Sequence, residues 1–164
     1  MCLYALTGAV VRPDCAIATS QRRHDDFVHT GYASHMTSAA CPFCSLPDDK
    51  VVLSNRHGVV IRDAFPVSPG HTLIIPLRHV GSYFALDQIE RDSLFDLLEK
   101  ARQMLDAEMK PDGYNIGIND GQAAGQTVPH LHIHLIPRYR GDREDPRGGI
   151  RWIIPEKAVY WPAP

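Results

Sequence analysis

The sequence predicts an α+β fold, an antiparallel sheet of about five strands carrying one long helix. Three observations predict it. Val128–Arg138 places a histidine at every second position with aliphatic residues between, the two-residue period of a strand. Leu94, Leu97, Leu98, Ala101, Met104 and Leu105 recur at helical spacing. Short apolar runs bounded by turn residues, at Val51–Leu53, Val59–Ile61 and His71–Pro76, read as further strands. A chain of 164 residues suits one domain with a core of its own.

Residues 1–38 show no sustained period, and Gln21–Asp26 is polar throughout. They read as a disordered extension, or as the result of a start placed too early, with Met36 as the later one. Asp14, Asp25 and Asp26 argue against a mitochondrial targeting segment. The domain proper is expected at 39–141, followed by a tail at 142–164. Arg12, Pro13 and Asp14 interrupt the only apolar N-terminal stretch, so no secretory signal is read and a reducing, cytoplasmic setting is expected. In that setting Cys41-Pro-Phe-Cys44 is a metal or redox pair rather than half of a disulfide framework. A redox pair would call for a βαβ context that the pattern lacks. Zinc would need two further ligands, and His57, His71, His79 and His130 are the candidates.

The runs at 51–53 and 59–61 flank Ser54-Asn-Arg-His-Gly58, a turn signal, and are expected to pair. Asp63 then opens a loop punctuated by proline and glycine up to Gly70. His71 starts the next strand and reads as packed or hydrogen-bonded. Asp87-Gln-Ile-Glu90 is a capping box with Asp in place of Ser or Thr, and the helix is expected to stop near Lys110, before Pro111 and Gly113. Its Leu and Met stripe is core. Tyr114–Ile118 alternates and is expected to pair with the histidine strand across the Gly-rich turn Asn119–Thr127. Beyond Arg138 the chain is charged and turn-rich, then apolar and aromatic from Ile150 to Trp161, a composition expected to dock on a surface.

On a strand, His130, His132 and His134 would share one face at steps of about 6.6 Å, with Leu131, Ile133 and Leu135 on the other. Such a face suits metal binding or nucleophilic catalysis better than mere polarity. The adjoining turn supplies backbone N–H groups and the side chains of Asn119, Gln126 and Thr127, donors that attack at a phosphate needs. Composition is ordinary, 44% hydrophobic and 22% charged, with a net charge of −2. No basic footprint for nucleic acid is present, and no apolar run reaches the length of a membrane span.

Asn119-Asp-Gly followed by Ala124-Gly-Gln-Thr-Val-Pro-His-Leu-His-Ile-His-Leu-Ile-Pro-Arg138 resembles the signature of the histidine triad (HIT) superfamily. Asp63-Ala-Phe-Pro-Val-Ser-Pro-Gly-His-Thr-Leu-Ile-Ile-Pro-Leu-Arg-His79 is similar to that family's second block. The resemblance runs from about Cys41 to about Gly141. It implies a nucleotide hydrolase or transferase acting at an α-phosphate, with His132 as nucleophile and His134 on the phosphate or leaving group. It implies that Asp63 binds the ribose with Ile61 near the base, and that Asn119, Gln126 and Thr127 donate to phosphate oxygens. In the zinc-containing branch the ligands would be Cys41, Cys44, His79 and His130, closing a structural site. The resemblance further implies a homodimer. Ala124–Val128 and the Pro-Arg after the triad look like the dinucleoside polyphosphate hydrolase branch, whereas Asn119 resembles the nucleoside phosphoramidase branch. Two other readings stand beside these: a hydrolase using all three triad histidines on a catalytic metal, and a non-catalytic nucleotide-binding or zinc adaptor module.

Overall fold

The computed structural model describes residues 41–162; the expected extension at 1–38, with Cys2, Cys15 and Met36, lies outside the described residues. Five strands form one sheet: β1 (Val51–Ser54), β2 (Gly58–Arg62), β3 (Thr72–Pro76), β4 (Gly113–Ile118) and β5 (Ile133–Arg138). Their order is β1-β2-β3-β5-β4, and every neighbouring pair is antiparallel. Among the described residues the single long helix, α1, spans Gln88–Met109. The expected fold class is therefore the observed one.

The two faces of the sheet bury different things. On one face Val60, Ile74, Ile133 and Leu135, with Leu131 just ahead of β5, meet Leu94, Leu97, Leu98, Ala101 and Leu105 of α1. Each such leucine or isoleucine removed from water contributes about 1.5–3 kcal/mol before entropy is counted. On the other face Val59, Ile61, Leu73 and Ile75 pack with Phe43, Leu46 and Val51. Covered on both sides, β2 and β3 are buried along nearly their whole length, which is why they read as continuous apolar runs.

The helix starts where its cap chemistry says. Asp87 accepts from the Glu90 N–H at 2.8 Å, and the Glu90 carboxylate accepts from the Asp87 N–H at 3.0 Å, completing the box. Glu90 also takes both arms of Arg78, at 2.7 Å each, and that guanidinium holds its carboxyl down at about 2. The pair ties the exit of β3, one residue before His79, to the head of α1. At the other end Lys110 turns left-handed (φ 50°) ahead of Pro111.

Gly58 lies where α1 crosses β2. A Cβ there would stand 2.5 Å from Leu94 Cδ2 and 3.0 Å from the Ile75 carbonyl. Gly58→Ala is accordingly expected to cost about 1–3 kcal/mol by overpacking. Chemical denaturation checks this, and an unchanged midpoint would contradict the close crossing.

Two boundaries differ from the sequence reading. The histidine strand pairs only from Ile133, not from Val128, because Pro129 lacks an N–H and the segment before Ile133 bonds elsewhere: the Leu131 N–H donates to Val80 O at 2.6 Å. The alternation of faces nevertheless persists through the extended lead-in, with Leu131, Ile133 and Leu135 all in the core. His71 precedes β3 rather than starting it, its N–H donating to Ser68 O at 3.1 Å.

The tail docks on its own chain. It returns in two short 3-10 turns, Gly149–Ile153 and Pro155–Lys157. Ile150 covers Gly117 of β4 so closely that a Cβ at 117 would lie 3.3 Å from its Cδ1. The aromatic side chains are braced within the tail: Arg147 lies 4.7 Å from the Trp161 ring centre and Arg151 4.8 Å from that of Tyr160. Among the described residues no helix is long and apolar enough to cross a membrane.

Candidate active site and metal centre

The Cys41–Cys44 turn is closed by the Cys44 N–H donating to Cys41 O at 3.1 Å. It brings both thiols against two histidines that are distant in sequence. Cys41 Sγ lies 3.4 Å from His130 Nδ1, and Cys44 Sγ lies 3.2 Å from His79 Nδ1 and 3.5 Å from His130 Nδ1. All four donor atoms fall within 4.8 Å of one another. A tetrahedral ion with bonds of about 2.3 Å to sulfur and about 2.0 Å to nitrogen would set S···N separations of roughly 3.5 Å, so the cluster fits such an ion with little movement. His130 is already oriented for it: its Nε2–H donates to Pro76 O at 2.9 Å, which leaves the Nδ1 lone pair facing the thiols. Cys41 and His130 are buried, His79 is half-buried and Cys44 is exposed.

His132 follows with its ring turned the other way. Its Nδ1–H donates to the backbone carbonyl of His130 at 2.8 Å. That bond selects the tautomer and leaves the Nε2 lone pair free. The His134 ring stands 5.0 Å from it, centre to centre. Because Leu73 of β3 pairs with His134 of β5, His71 lies diagonally opposite His134 on the same face. His71 Nε2 is 3.0 Å from His134 Nδ1, and His71 Nδ1 is 3.3 Å from an Asp63 carboxylate oxygen. The Val67 N–H donates to His71 Nδ1 at 3.3 Å, which leaves His71 Nε2–H to donate to His134 Nδ1, and the Asp63 carboxylate lies beside the same His71 nitrogen without a hydrogen bond to it. One donor atom from each of Asp63, His71 and His134 falls within 4.8 Å of the others, so the three form a compact cluster.

Burial first, then the neighbouring His132 and His71 rings, push the His134 imidazole down to about 4. Burial also pushes His71 down, against the raising influence of the Asp63 carboxylate. The unfolded chain therefore binds more protons than the fold once the pH drops below about 6.5. Stability is full above that value and is lost progressively toward about 4. Urea titrations are expected to give a lower midpoint at pH 5 than at pH 7, and His134→Gln to flatten the difference. The same dependence in the variant would show that another group is responsible.

Two cavities meet at this cluster, sharing Val67, His71 and His134. One, of about 580 Å³, is lined by Phe43, Leu46, Ile61, Asp63, Thr127 and His132. The other, of about 610 Å³, is lined by Asn119, Gly125, Ile116 and the tail residues Ile150, Ile153 and Ile154. Ile61, Asp63, Thr127 and both histidines are thus brought together, while Asn119 sits across His134 in the second cavity. Gln126 lines neither cavity. Its amide oxygen accepts from the Gly121 N–H at 2.9 Å and its amide nitrogen donates to Gly81 O at 2.7 Å, so the side chain latches the Gly-rich turn instead of facing a ligand. That turn needs its glycines, since Gly121 and Gly125 adopt φ of 88° and 86°.

Two residues at the site carry no role in the sequence reading. His71 looks like a packing residue at a strand start; the available signal is a lone histidine heading an apolar strand, which places it on the triad's face only once the register is known. Phe43 is an aromatic residue between the two cysteines of the Cys–His cluster, and it stands edge-on to His132 at 5.2 Å and to His130 at 5.8 Å, centre to centre.

Comparison with known proteins agrees with this geometry. The family model described as "HIT domain" matches residues 46–141. An uncharacterized HIT-like protein of Mycoplasma genitalium is 36% identical over 107 residues, spanning 63% of this chain and 76% of that protein. The bis(5'-nucleosyl)-tetraphosphatase (asymmetrical) of Schizosaccharomyces pombe is 44% identical over 77 residues, 47% of this chain and 42% of that protein. Among solved structures, a Zn-bound histidine triad family protein of Mycobacterium smegmatis superposes with a TM-score of 0.60 at 30% identity, covering 66% of this chain and 82% of that one.

Proposed function

Since the chain belongs to the HIT domain family, we propose that it is a nucleotide hydrolase that cleaves at the α-phosphate of a dinucleoside polyphosphate or a nucleoside phosphoramidate. The observation that carries this reading is the His132 ring, tethered through Nδ1–H to His130 O at 2.8 Å and free at Nε2 beside a cavity of nucleoside size. The similarity to a bis(5'-nucleosyl)-tetraphosphatase supports it.

Nε2 of His132 donates its lone pair to the α-phosphorus, forming a P–N bond. The bond from phosphorus to the leaving group breaks, and its electron pair departs with the leaving group. Water then adds its oxygen to phosphorus, Nε2 recovers its pair, and one proton passes to solvent, giving a nucleoside monophosphate. Ile61 lines the cavity where the base would lie, and Asp63 offers carboxylate oxygens to the ribose hydroxyls. Thr127 and Asn119 flank the phosphate from the two cavities, where a hydrogen bond is most useful to charge that grows in the transition state. His134, backed by His71 and Asp63, faces the leaving group, for which the second cavity has room.

The proposed metal is zinc, held by Cys41, Cys44, His79 and His130. With four protein ligands it would be structural, fixing the turn without an open position for substrate. The setting we propose is the cytoplasm, where thiols stay reduced and available to a metal. The homodimer implied by the family would use the outer edge of β4, which pairs with no strand among the described residues. A catalytic metal on all three triad histidines is disfavoured, because His130 and His132 already commit ring nitrogens in other directions.

Assay of diadenosine polyphosphates and adenosine phosphoramidates for released AMP tests the reading. Turnover of at least one class is expected, with the metal retained. Saturable binding of both without turnover would instead identify a nucleotide-binding module.

A further inference from the structure

The metal centre is wired to the catalytic face at three points. His130 turns its ring to the thiols while its backbone carbonyl accepts from the His132 ring at 2.8 Å, so one residue serves both sites. Phe43, fixed between Cys41 and Cys44, presses its ring edge toward His132 at 5.2 Å and forms a wall of the cavity that holds Ile61 and Asp63. Behind His79, Val80 O accepts from the Leu131 N–H and Gly81 O from the Gln126 amide, which in turn latches Gly121 in the Gly-rich turn. The centre itself is half open, since Cys44 is exposed and His79 half-buried, so an ion there can exchange with solvent.

We infer that the metal ion and the nucleotide are coupled ligands of this protein, each tightening the other, with Phe43 as the positioning residue that links them. The inference rests on the nucleotide site proposed above. A bound ion fixes the Cys41–Cys44 turn and with it the Phe43 ring against His132. A nucleoside pressed against Phe43 holds the same turn closed around the ion. By thermodynamic linkage the two effects on affinity are equal, whichever ligand is varied. Occupancy of the half-open centre would then set how well the catalytic face binds substrate.

The test uses the metal-loaded protein and AMP as the probe. The partition of the ion between the protein and a competing coloured chelator is measured at equilibrium with and without saturating AMP. A shift of about fivefold or more toward the protein is expected, the lower end of ordinary coupling. Phe43→Ala, loaded with metal and brought to the same AMP occupancy, is expected to show no shift, and Phe43→Tyr to restore it. If Phe43→Ala does not hold the ion, Phe43→Leu, which keeps apolar bulk without the ring, takes its place with the same expectation. If AMP binds the wild-type protein and the partition is unchanged, the coupling is overturned while the nucleotide reading stands. An equal shift in the Phe43 variants overturns Phe43 as the link. Failure of AMP to bind the loaded protein removes the nucleotide reading and the coupling together.

Discussion

Replacing His132 by alanine is expected to lower turnover by roughly four to six orders of magnitude, the scale of loss when a covalent nucleophile is removed. Position on the strand does not by itself choose among the three histidines, since all face the same way. Their bonds do. His130 has no free ring nitrogen, with Nδ1 at the thiols and Nε2 on Pro76 O. His134 is bonded through Nδ1 to His71 and sits between the two cavities. Only His132 combines a fixed tautomer with a free lone pair beside the nucleoside cavity. The substitution leaves the Cys41–Cys44–His79–His130 cluster untouched and removes no side chain of the core that packs on α1. Metal content and helical signal are therefore expected to stay at wild-type values. A variant that keeps more than a few per cent of the activity would move the nucleophile elsewhere.

Cys44→Ser is expected to abolish stoichiometric metal binding and to lower stability by several kcal/mol, since the free energy of filling a structural site is folding free energy. The loss should fall short of complete unfolding. The sheet and α1 have a core that does not involve the turn, whereas Phe43 and Leu46 pack on the opposite face. Cys44 is exposed, so the serine itself adds no strain, and the effect reads the ligand alone. One ion per chain in the wild-type protein and none in the variant is the expected metal analysis. A gently purified wild-type protein free of metal, or a variant that still carries one ion, would contradict the assigned ligand set.

Elements whose evidence is periodic were legible in the sequence. The helix needs only its Leu stripe and its Asp87–Glu90 cap, both local, and it begins where they place it. The same holds for the pairing of Tyr114–Ile118 with the histidine strand across a glycine turn. The Cys–His cluster was legible as a grouping because a pair of cysteines three apart suggests a metal or redox use and the family pattern points to the two distant histidines, and the fold brings the four donor atoms within 4.8 Å of one another. What was not legible depends on partners distant in sequence. His71 joins the face that carries the triad histidines only through the register of β3 against β5. Gln126 has donor chemistry suited to phosphate, yet its amide is taken by Gly121 and Gly81, a closure that no local pattern announces. The tail's aromatic residues suggested burial; their own arginines stack on them instead, and three isoleucines make the contact with the second cavity.

The central claim is covalent chemistry at one nitrogen, and trapping the intermediate tests it most directly. Wild-type protein mixed rapidly with substrate labelled in its α-phosphate, quenched in base and digested, is expected to yield one labelled peptide, that containing His132. The label should be lost on acid treatment, as a P–N bond to imidazole requires. A label mapped to His134, or turnover with no protein-bound phosphorus at any time point, would contradict the account.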